Sequence, residues 1–233
     1  MPQLTYDRFI ETSGAMRNEQ VSILGLILAG GLGRRMDGLH KPFAEVGGAP
    51  LLERVIARAH NQCDALAINL HQTTPEAAAP FVHLGLPLLP DARPGHAGPL
   101  AGVLAGLDHA ALNGRSHVLS LPCDCPFLPR DLAARLIEAA EQSRDGLACA
   151  ASGGRRHPVV ALWPIGLRDD LRRALFEQDL RKVGQFQQRY EVRTVEWSFR
   201  QRDPFFNINT PEDLMRAQEL AALEEFGAFD DEE

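Results

Sequence analysis

The sequence lacks three features that would place it in other classes of protein. Its four cysteines are unevenly spaced in 233 residues and form no C-x-x-C pair, so a zinc site has little support. Its net charge is -7, which argues against a nucleic-acid partner because phosphate backbones select basic surfaces. No apolar run approaches the roughly 20 residues that cross a bilayer. We therefore expect a protein without nucleic-acid or membrane partners.

The two ends of the chain are polar. Residues 1–20 carry charges and no apolar core of the kind that a secretory signal has, so we expect an irregular extension in which Met16 could be the true start. Residues 227–233 are rich in acidic side chains, which is typical of a solvated tail.

Cys123 and Cys125 could be two metal ligands, but no second ligand cluster accompanies them. Reduced thiols in a cytoplasmic protein are the favoured interpretation.

Apolar runs alternate with amphipathic stretches over 21–226, where we expect a single domain. The first run, 21–29, is almost continuously apolar, as in a strand buried on both faces of a parallel sheet. Further strands are expected at 65–70, 86–91, 117–124, 146–151, 157–163 and 192–197. Helices are expected at 50–60, 75–82, 99–112, 129–143, 167–178, 182–190 and 211–226, the last with Thr210 as N-cap. This alternation predicts an α/β, three-layer, doubly wound, Rossmann-like domain with a mainly parallel, mixed sheet.

The stretch after the first strand concentrates glycines and cations. It reads L-A-G-G-L-G-R-R-M-D-G-L-H-K-P from Leu28, at a strand end where ligands gather in open α/β sheets. Its glycines let the backbone take positive φ and approach a ligand closely, and its cations suit triphosphate oxygens. These residues are Gly30, Gly31, Gly33, Arg34, Arg35 and Lys41. A turn with incidental basic residues is the alternative.

Two better-known phosphate motifs do not fit this stretch. A P-loop needs glycine before its lysine and Ser or Thr after it, whereas Pro42 follows Lys41. A dinucleotide fingerprint needs a third glycine where Met36 stands, and two arginines would crowd the close approach of a dinucleotide. The loop is therefore expected to bind a nucleoside triphosphate in another way.

Five motifs, in this order, resemble the nucleotidyltransferase superfamily, most closely its molybdenum cofactor guanylyltransferases. They are L-A-G-G-x-x-x-R-M-x-x-x-x-K from 28, G-P-L-A-G from 98, P-C-D-C-P-F from 122, R-H-P-V-V-A-L from 156 and N-I-N-T-P-E-D-L from 207. The resemblance spans about residues 22–220. It implies Mg²⁺-dependent transfer of GMP from GTP to molybdopterin, with release of pyrophosphate. It also implies that cofactor-delivery proteins or molybdoenzymes are further partners.

Three other functions stay open at this point. A cytidylyltransferase for the same cofactor is the nearest, although the pair Gly30-Gly31 favours GTP because the cytidine-using relatives resemble L-A-A-G here. Transfer to a sugar phosphate is the second. A non-catalytic protein that binds the nucleotide or molybdopterin is the third, and the presence of Lys41 and Asp124 argues against it.

The resemblance also implies a nucleotide site. Its members are Leu28, Ala29, Gly30, Gly31, Arg34, Arg35, Lys41, Asn69, Asp91 and Asp124. Backbone groups of 28–30 would line the guanine pocket, Arg35 would hold the leaving pyrophosphate, and Lys41 would reach the α-phosphate. Lys41, Arg35 and Asp124 are the expected catalytic residues. Asp91 could accept from the guanine N–H groups or serve as a structural cap.

Metal and acceptor sites follow from the same resemblance. Asp124 ends a strand and suits Mg²⁺, although a turn or cap role is the alternative. Asn209 completes the expected metal site, with Asn207 as the other candidate, unless both asparagines only satisfy the backbone of the turn. The expected acceptor contacts are Gly98, Pro99, Leu100, Gly102, Asn207 and His157, and a packed histidine is the alternative for the last.

Overall fold

A computed structural model of the chain describes residues 21–30, 41–95 and 98–225. Its strands are β1 (Ile23–Leu28), β2 (Glu45–Val46), β3 (Ala49–Pro50), β4 (Ala65–Leu70), β5 (Leu88–Pro90), β6 (His117–Pro122), β7 (Leu147–Ser152), β8 (Arg155–Pro164) and β9 (Val192–Trp197). Its α-helices are α1 (Leu51–His60), α2 (Pro75–Ala78), α3 (Pro99–Leu112), α4 (Leu132–Glu141), α5 (Arg168–Phe176), α6 (Val183–Gln187) and α7 (Pro211–Glu225). Three 3₁₀ turns cover Lys41–Phe43, Ala79–Leu84 and Ile165–Leu167.

Seven strands form one mixed sheet in the order β5-β4-β1-β6-β8-β7-β9. Strand β8 is antiparallel to its neighbours β6 and β7, whereas the remaining neighbours pair in parallel. The expected mainly parallel, mixed α/β sheet is confirmed. From β1 the chain first builds outward through β4 and β5, then returns through α3 to β6 on the other side of β1. The strand order therefore reverses between β1 and β6, which is where open α/β sheets bind ligands.

Helices cover both faces of this sheet and give the three layers. Helices α1 and α4 bury their apolar sides in one core cluster, while α3, α5 and α6 contribute to a second cluster. The side chains of β1 alternate between the two: Ile27 belongs to the first cluster, and Leu24 and Leu26 to the second. Burial on both faces is the reason that this strand reads as a continuous apolar run.

Helix α3 packs unusually close to the sheet because glycine stands at its contact positions. A Cβ atom on Gly102 would lie 2.2 Å from Oδ1 of Asn69 and 2.7 Å from Cδ2 of Leu28. A Cβ atom on Gly106 would lie 2.5 Å from Cδ2 of Leu26. These distances are below any ordinary carbon contact, so a side chain at either position has to displace the side chains of the strand residues beneath it.

Gly102→Ala is therefore expected to lower the free energy of unfolding by about 1–3 kcal/mol, the usual range for overpacking. The measurement is chemical denaturation monitored by circular dichroism. Gly184→Ala in α6 is the matched control, because no heavy atom lies within 4 Å of its added Cβ; it should leave stability unchanged or slightly higher. Equal midpoints for the two variants would contradict the close packing described for α3.

A short hairpin precedes α1 and was not predicted. Strands β2 and β3 have two residues each and flank Gly47-Gly48, both at positive φ, as a tight hairpin turn requires. Two-residue strands are too short to show alternation. The hairpin is stabilised instead by α7: Gln218 donates from Nε2 to the carbonyl oxygen of Glu45 at 2.8 Å and accepts at Oε1 from the N–H of Gly47 at 3.1 Å.

Several predicted boundaries shift. The helix predicted over 75–82 is α2 followed by the 3₁₀ turn Ala79–Leu84, and the strand predicted over 86–91 shortens to Leu88–Pro90. The extension over 1–20 and the tail over 227–233 lie outside the described residues, so these boundaries stay predictions. Among the helices that the structure describes, none has both the length and the apolar character that a bilayer crossing requires.

Candidate active site

Three strand ends meet where the strand order reverses. Leu28, the last residue of β1, is in register with Asn69 of β4 and with Pro122 of β6. The N–H of Ala29 donates to the carbonyl oxygen of Asn69 at 2.9 Å, and the N–H of Cys123 donates to that of Leu28 at 3.2 Å. The residues that follow these three strands therefore emerge side by side at one edge of the sheet.

Gly30 has a different reason for being glycine than the sequence suggested. Its backbone is not among those at positive φ. A Cβ atom at this position would lie 2.9 Å from the backbone nitrogen of His71 and 3.4 Å from the carbonyl carbon of Leu70. Glycine is required here because the chain leaving β1 runs against the end of β4. Gly31, Gly33, Arg34 and Arg35 lie outside the described residues.

Lys41, Asp124 and Asn209 converge at this edge from three distant parts of the chain. The Lys41 ammonium donates to Oδ2 of Asp124, and to Oδ1 of Asn209 at 2.8 Å. The side chains of Lys41 and Asp124 are 15% and 14% exposed, so both charges are sheltered but reachable from solvent. The structure thus joins the expected catalytic lysine to the two expected metal ligands.

The turn that carries Asn209 is held in place from both sides. The N–H of Ile208 donates to the carbonyl oxygen of Asp124 at 3.0 Å, which joins it to the turn after β6. A reciprocal cap begins α7: the N–H of Asp213 donates to Oγ1 of Thr210 at 3.1 Å, and Oδ2 of Asp213 accepts from Thr210 N–H at 2.9 Å. Thr210 is the N-cap that the sequence predicts. Asn209 is therefore presented to Lys41 by a rigid turn.

The cysteines beside Asp124 are structural. Cys123 and Cys125 are both buried. Burial, with the Asp124 charge adding to it, raises the pKa of the Cys123 thiol to about 12 and that of Cys125 well above its ordinary value. Both thiols are therefore protonated at pH 7 in the protein without a metal ion. Within the described part of the chain, no group of three or more His, Cys, Asp or Glu side chains is arranged to hold a metal ion.

The oxygens of Asp124 and Asn209 nevertheless suit a magnesium ion that shares a nucleotide. Mg²⁺ is usually held by one or two carboxylates together with waters and substrate phosphates, rather than by a full protein cage. One carboxylate and one amide oxygen, both already accepting from the Lys41 cation, match that donor set. Since Lys41 contacts both oxygens, a metal ion bound to them would compete with the ammonium.

Asn69 and Asp91 form a second polar cluster, with His71 as a member that sequence reasoning missed. Asn69 Nδ2 donates to the carbonyl oxygen of Leu89 and to Oδ1 of Asp91, both at 3.1 Å. Oδ2 of Asp91 is 3.0 Å from Nδ1 of His71. The Asp91 side chain is only 9% exposed, so its carboxylate positions Asn69 and His71. His71 directly follows β4 at the reversal of strand order, and this position in the sequence could have identified it as a candidate site residue.

The residues expected at the start of α3 divide into two kinds. Gly98 has φ +79 and precedes Pro99 at the first position of the helix, so the helix N-terminus opens at an exposed turn. The side chain of Leu100 is fully buried, and Gly102 lies against Asn69. Leu100 and Gly102 can therefore shape the site only through packing and backbone position.

A groove of about 380 Å³ adjoins the Lys41–Asp124–Asn209 cluster. It brings the expected residues His157, Asn207 and Asn209 together, and adds Arg155 and Arg156. Both arginines are exposed and carry positive charge at the groove, although the guanidinium of Arg156 also donates to Sγ of Cys149 at 3.2 Å. The groove can accept an anionic molecule beside the cluster.

The fold and this arrangement define an α/β protein with a polar cluster at the reversal of strand order. The family model described as "MobA-like NTP transferase domain" matches residues 25–192, which is more than half of the chain. The molybdenum cofactor guanylyltransferase of Bradyrhizobium sp. (strain ORS 278) is 50% identical over 206 residues, which is 88% of this chain and 95% of the relative. The chain therefore belongs to the family of MobA-like NTP transferase domains, which confirms the resemblance.

Two further comparisons agree. The molybdenum cofactor guanylyltransferase of Rhodopseudomonas palustris (strain HaA2) is 51% identical and covers 85% of this chain and 92% of its own length. The crystal structure of molybdopterin-guanine dinucleotide biosynthesis protein A from Archaeoglobus fulgidus is 25% identical, with a TM-score of 0.67, and covers 85% of this chain and 98% of its own. The nucleotidyltransferase fold is confirmed.

Proposed function

We propose that this protein is an enzyme that transfers GMP from GTP to the molybdenum cofactor, with release of pyrophosphate and formation of the guanine dinucleotide form of the cofactor. Relatives named molybdenum cofactor guanylyltransferase are about half identical to this chain over nearly their full length. The structural observation that carries the proposal is the meeting of Lys41, Asp124 and Asn209 at the reversal of strand order.

The reaction needs positioning and charge more than covalent chemistry. A phosphate oxygen of the acceptor attacks the α-phosphorus of GTP, and the bond to the bridging oxygen of pyrophosphate breaks. Holding two anions together and stabilising the charge that develops are the main contributions available to the protein. Lys41 reaches the α-phosphate, where that charge builds. Gly31, Arg34 and Arg35 are proposed to cradle the phosphates, with Arg35 at the leaving pyrophosphate.

Asp124 and Asn209 would hold Mg²⁺ as the reaction proceeds. When bound, the ion polarises phosphoryl oxygens and neutralises the charge between the reacting phosphates. The carboxylate of Asp124 supplies the charged ligand and Asn209 the neutral one. Lys41 leaves these oxygens for the α-phosphate as the nucleotide binds, so one side chain serves both the resting cluster and the reaction.

Guanine would lie at the ends of β1 and β4. Backbone groups of Leu28, Ala29 and Gly30 line this place, and the close contact of Gly30 with β4 leaves no room there for a side chain. Asn69 and Asp91 complete it. Since both Asp91 oxygens are already engaged, we propose that Asp91 acts on the base mainly through the side chains that it positions.

The acceptor would occupy the groove and the opening of α3. Asn207 and His157 line the groove beside two arginines, whose cations suit the anionic acceptor. Gly98 and Pro99 lie at the exposed N-terminus of α3, where N–H groups favour anions, and Leu100 and Gly102 support that end from the core. A cytoplasmic location and contacts with cofactor-delivery proteins or molybdoenzymes stay predictions.

The decisive experiment measures pyrophosphate release with Mg²⁺, molybdopterin and each of GTP, CTP and ATP. GTP should exceed the other nucleotides in kcat/KM by about 100-fold or more, as expected when buried polar groups read the base. A preference for CTP would instead support the cytidylyltransferase alternative, and turnover on hexose 1-phosphates would support the sugar-phosphate alternative. Absence of pyrophosphate release with every acceptor would overturn the proposal.

A further inference from the structure

His157 of the groove belongs to a chain of three polar side chains from three elements. Its Nε2 lies 2.7 Å from Oγ of Ser152, the last residue of β7. Ser152 in turn donates from Oγ to Oδ1 of Asp203 at 2.7 Å. Ser152 is 3% exposed, whereas His157 and Asp203 both line the groove. The chain therefore runs from the groove into the protein and back to the groove.

The proton positions in this chain follow from what each group can donate. A carboxylate only accepts, so the single hydroxyl proton of Ser152 is used on Asp203. The short contact between Ser152 and His157 then has to be a donation from the ring to the hydroxyl oxygen. The hydrogen-bond network thereby assigns the proton of the neutral imidazole to Nε2 and leaves the lone pair on Nδ1.

The surroundings restrict movement of this chain. Oδ1 of Asp203 also accepts from the N–H of Phe205 at 2.9 Å. The ring of Phe205 lies 4.8 Å from that of His157, and its other side meets the edge of Trp197 at 5.4 Å. Nε1 of Trp197 is anchored on Asp131 at 2.9 Å. The imidazole is thus held by one hydrogen bond and by an aromatic neighbour that is itself fixed.

Charged groups from several elements act on this imidazole. Burial lowers the pKa of His157; Asp203 raises it, Arg155 lowers it and Glu196 raises it to smaller extents. The net direction is downward, which keeps the ring neutral at pH 7. Within the described part of the chain, no protein group is recorded as a partner of Nδ1. The ring therefore has one acceptor nitrogen to offer to a molecule in the groove.

We propose that Ser152 and Asp203 are positioning residues that hold His157 in its Nε2–H tautomer, so that Nδ1 accepts a hydrogen bond from a neutral N–H or O–H group of the acceptor substrate. The ligand class that fits combines an anionic group for the two arginines with such a donor, as ring and amino N–H groups of a pterin provide. This inference rests on the proposed function for the identity of its ligand, whereas the tautomer itself does not.

Two substitutions at His157 separate the two nitrogens. Asparagine places an amide near the position of Nδ1 and loses the bond to Ser152, whereas glutamine keeps a donor near Nε2 and offers no acceptor near Nδ1. Measured by calorimetry, His157→Gln should weaken molybdopterin binding about tenfold, and His157→Asn should weaken it less, while GTP affinity stays unchanged in both. Equal loss in both variants, or a matching loss of GTP affinity, would overturn recognition through Nδ1.

The positioning residues are tested through a second pair. Ser152→Ala should raise the KM for the acceptor several-fold with the KM for GTP unchanged, because the ring can then turn. Ser143→Ala is the matched control: its hydroxyl donates to the carbonyl oxygen of Glu191 at 2.5 Å, and it precedes β7 rather than following it. A comparable rise in the control, or no rise in Ser152→Ala, would contradict the positioning role.

Nitrogen-15 NMR of the histidine ring in the free protein gives an independent readout. A protonated Nε2 and an unprotonated Nδ1 at neutral pH are expected for His157, with a weaker preference in Ser152→Ala, which lacks the oxygen that accepts the Nε2 proton. The opposite tautomer in the unsubstituted protein would overturn the inference. If no acceptor supports turnover while the NMR spectrum and the ranking of binding affinities among the variants are as expected, the proposed reaction is wrong and the role of His157 stands.

Discussion

Replacing Asp124 with asparagine is expected to lower kcat with GTP and molybdopterin by about 10²–10³-fold, the range seen when one preorganised electrostatic contact is lost from a reacting centre. The side chain keeps its shape and an oxygen atom but loses the charge that pairs with Lys41. Of the two proposed Mg²⁺ ligands, Asp124 and Asn209, only Asp124 carries a negative charge. The loss should appear in kcat at saturating substrates, measured as initial rates of pyrophosphate release.

The control for this variant is a second aspartate that, like Asp124, forms an ion pair with a basic side chain. Asp108→Asn removes a carboxylate that pairs with Arg172 between α3 and α5, where the arginine side chain is 45% exposed. Exposed pairs contribute little, so its kcat should stay within a factor of two or so of the unsubstituted enzyme. Circular dichroism should show an intact fold in both variants. A near-normal rate in Asp124→Asn would remove Asp124 from the proposed mechanism.

Lys41→Met is expected to have an effect of similar size on turnover and an opposite effect on metal binding. Loss of the cation at the α-phosphate should lower kcat by about 10²–10³-fold. In the protein without nucleotide, however, Lys41 contacts both oxygens that we assign to the metal. Its removal should therefore increase the affinity for Mn²⁺, measured by electron paramagnetic resonance without GTP.

The other lysine of the chain supplies the comparison. Lys182 is exposed and directly precedes α6, so Lys182→Met should change neither turnover nor Mn²⁺ binding. If Lys41→Met binds Mn²⁺ no better than the unsubstituted protein, Asp124 and Asn209 do not form the metal site. If its kcat is near normal, Lys41 does not act at the α-phosphate. The two readouts therefore test two separate assignments.

Much of the architecture could be read from local patterns. The continuous apolar run of β1 identifies a central strand because both of its faces are covered by helices. Asp124 was expected at a strand end because neighbouring residues alone indicate a buried strand followed by a proline-flanked turn. The hairpin over 45–50 could not be predicted from the sequence, because two-residue strands show no periodicity and depend on Gln218 from the other end of the chain.

Contacts across the chain decided what the local patterns left open. Asn209 and Asn207 are equivalent in sequence, and the structure places the amide of Asn209 on Lys41 and Asn207 in the groove. Gly30 was expected for its conformational freedom, and its reason is instead the close passage of β4. The roles of His71, Ser152 and Asp203 depend on partners that are far from them along the chain.

The sequence by itself determined the order of the main strands and helices and their buried faces, because each depends on a residue and its near neighbours; for the same reason it predicts that the first loop binds phosphate. Only the tertiary structure decided which polar side chains meet. Lys41 lies 83 residues from Asp124 and 168 from Asn209 along the chain. Their contact exists because α7 packs on the hairpin beside Lys41, while the turn that precedes α7 is hydrogen-bonded to the turn after β6. That coupling is a property of packing, which no local pattern encodes.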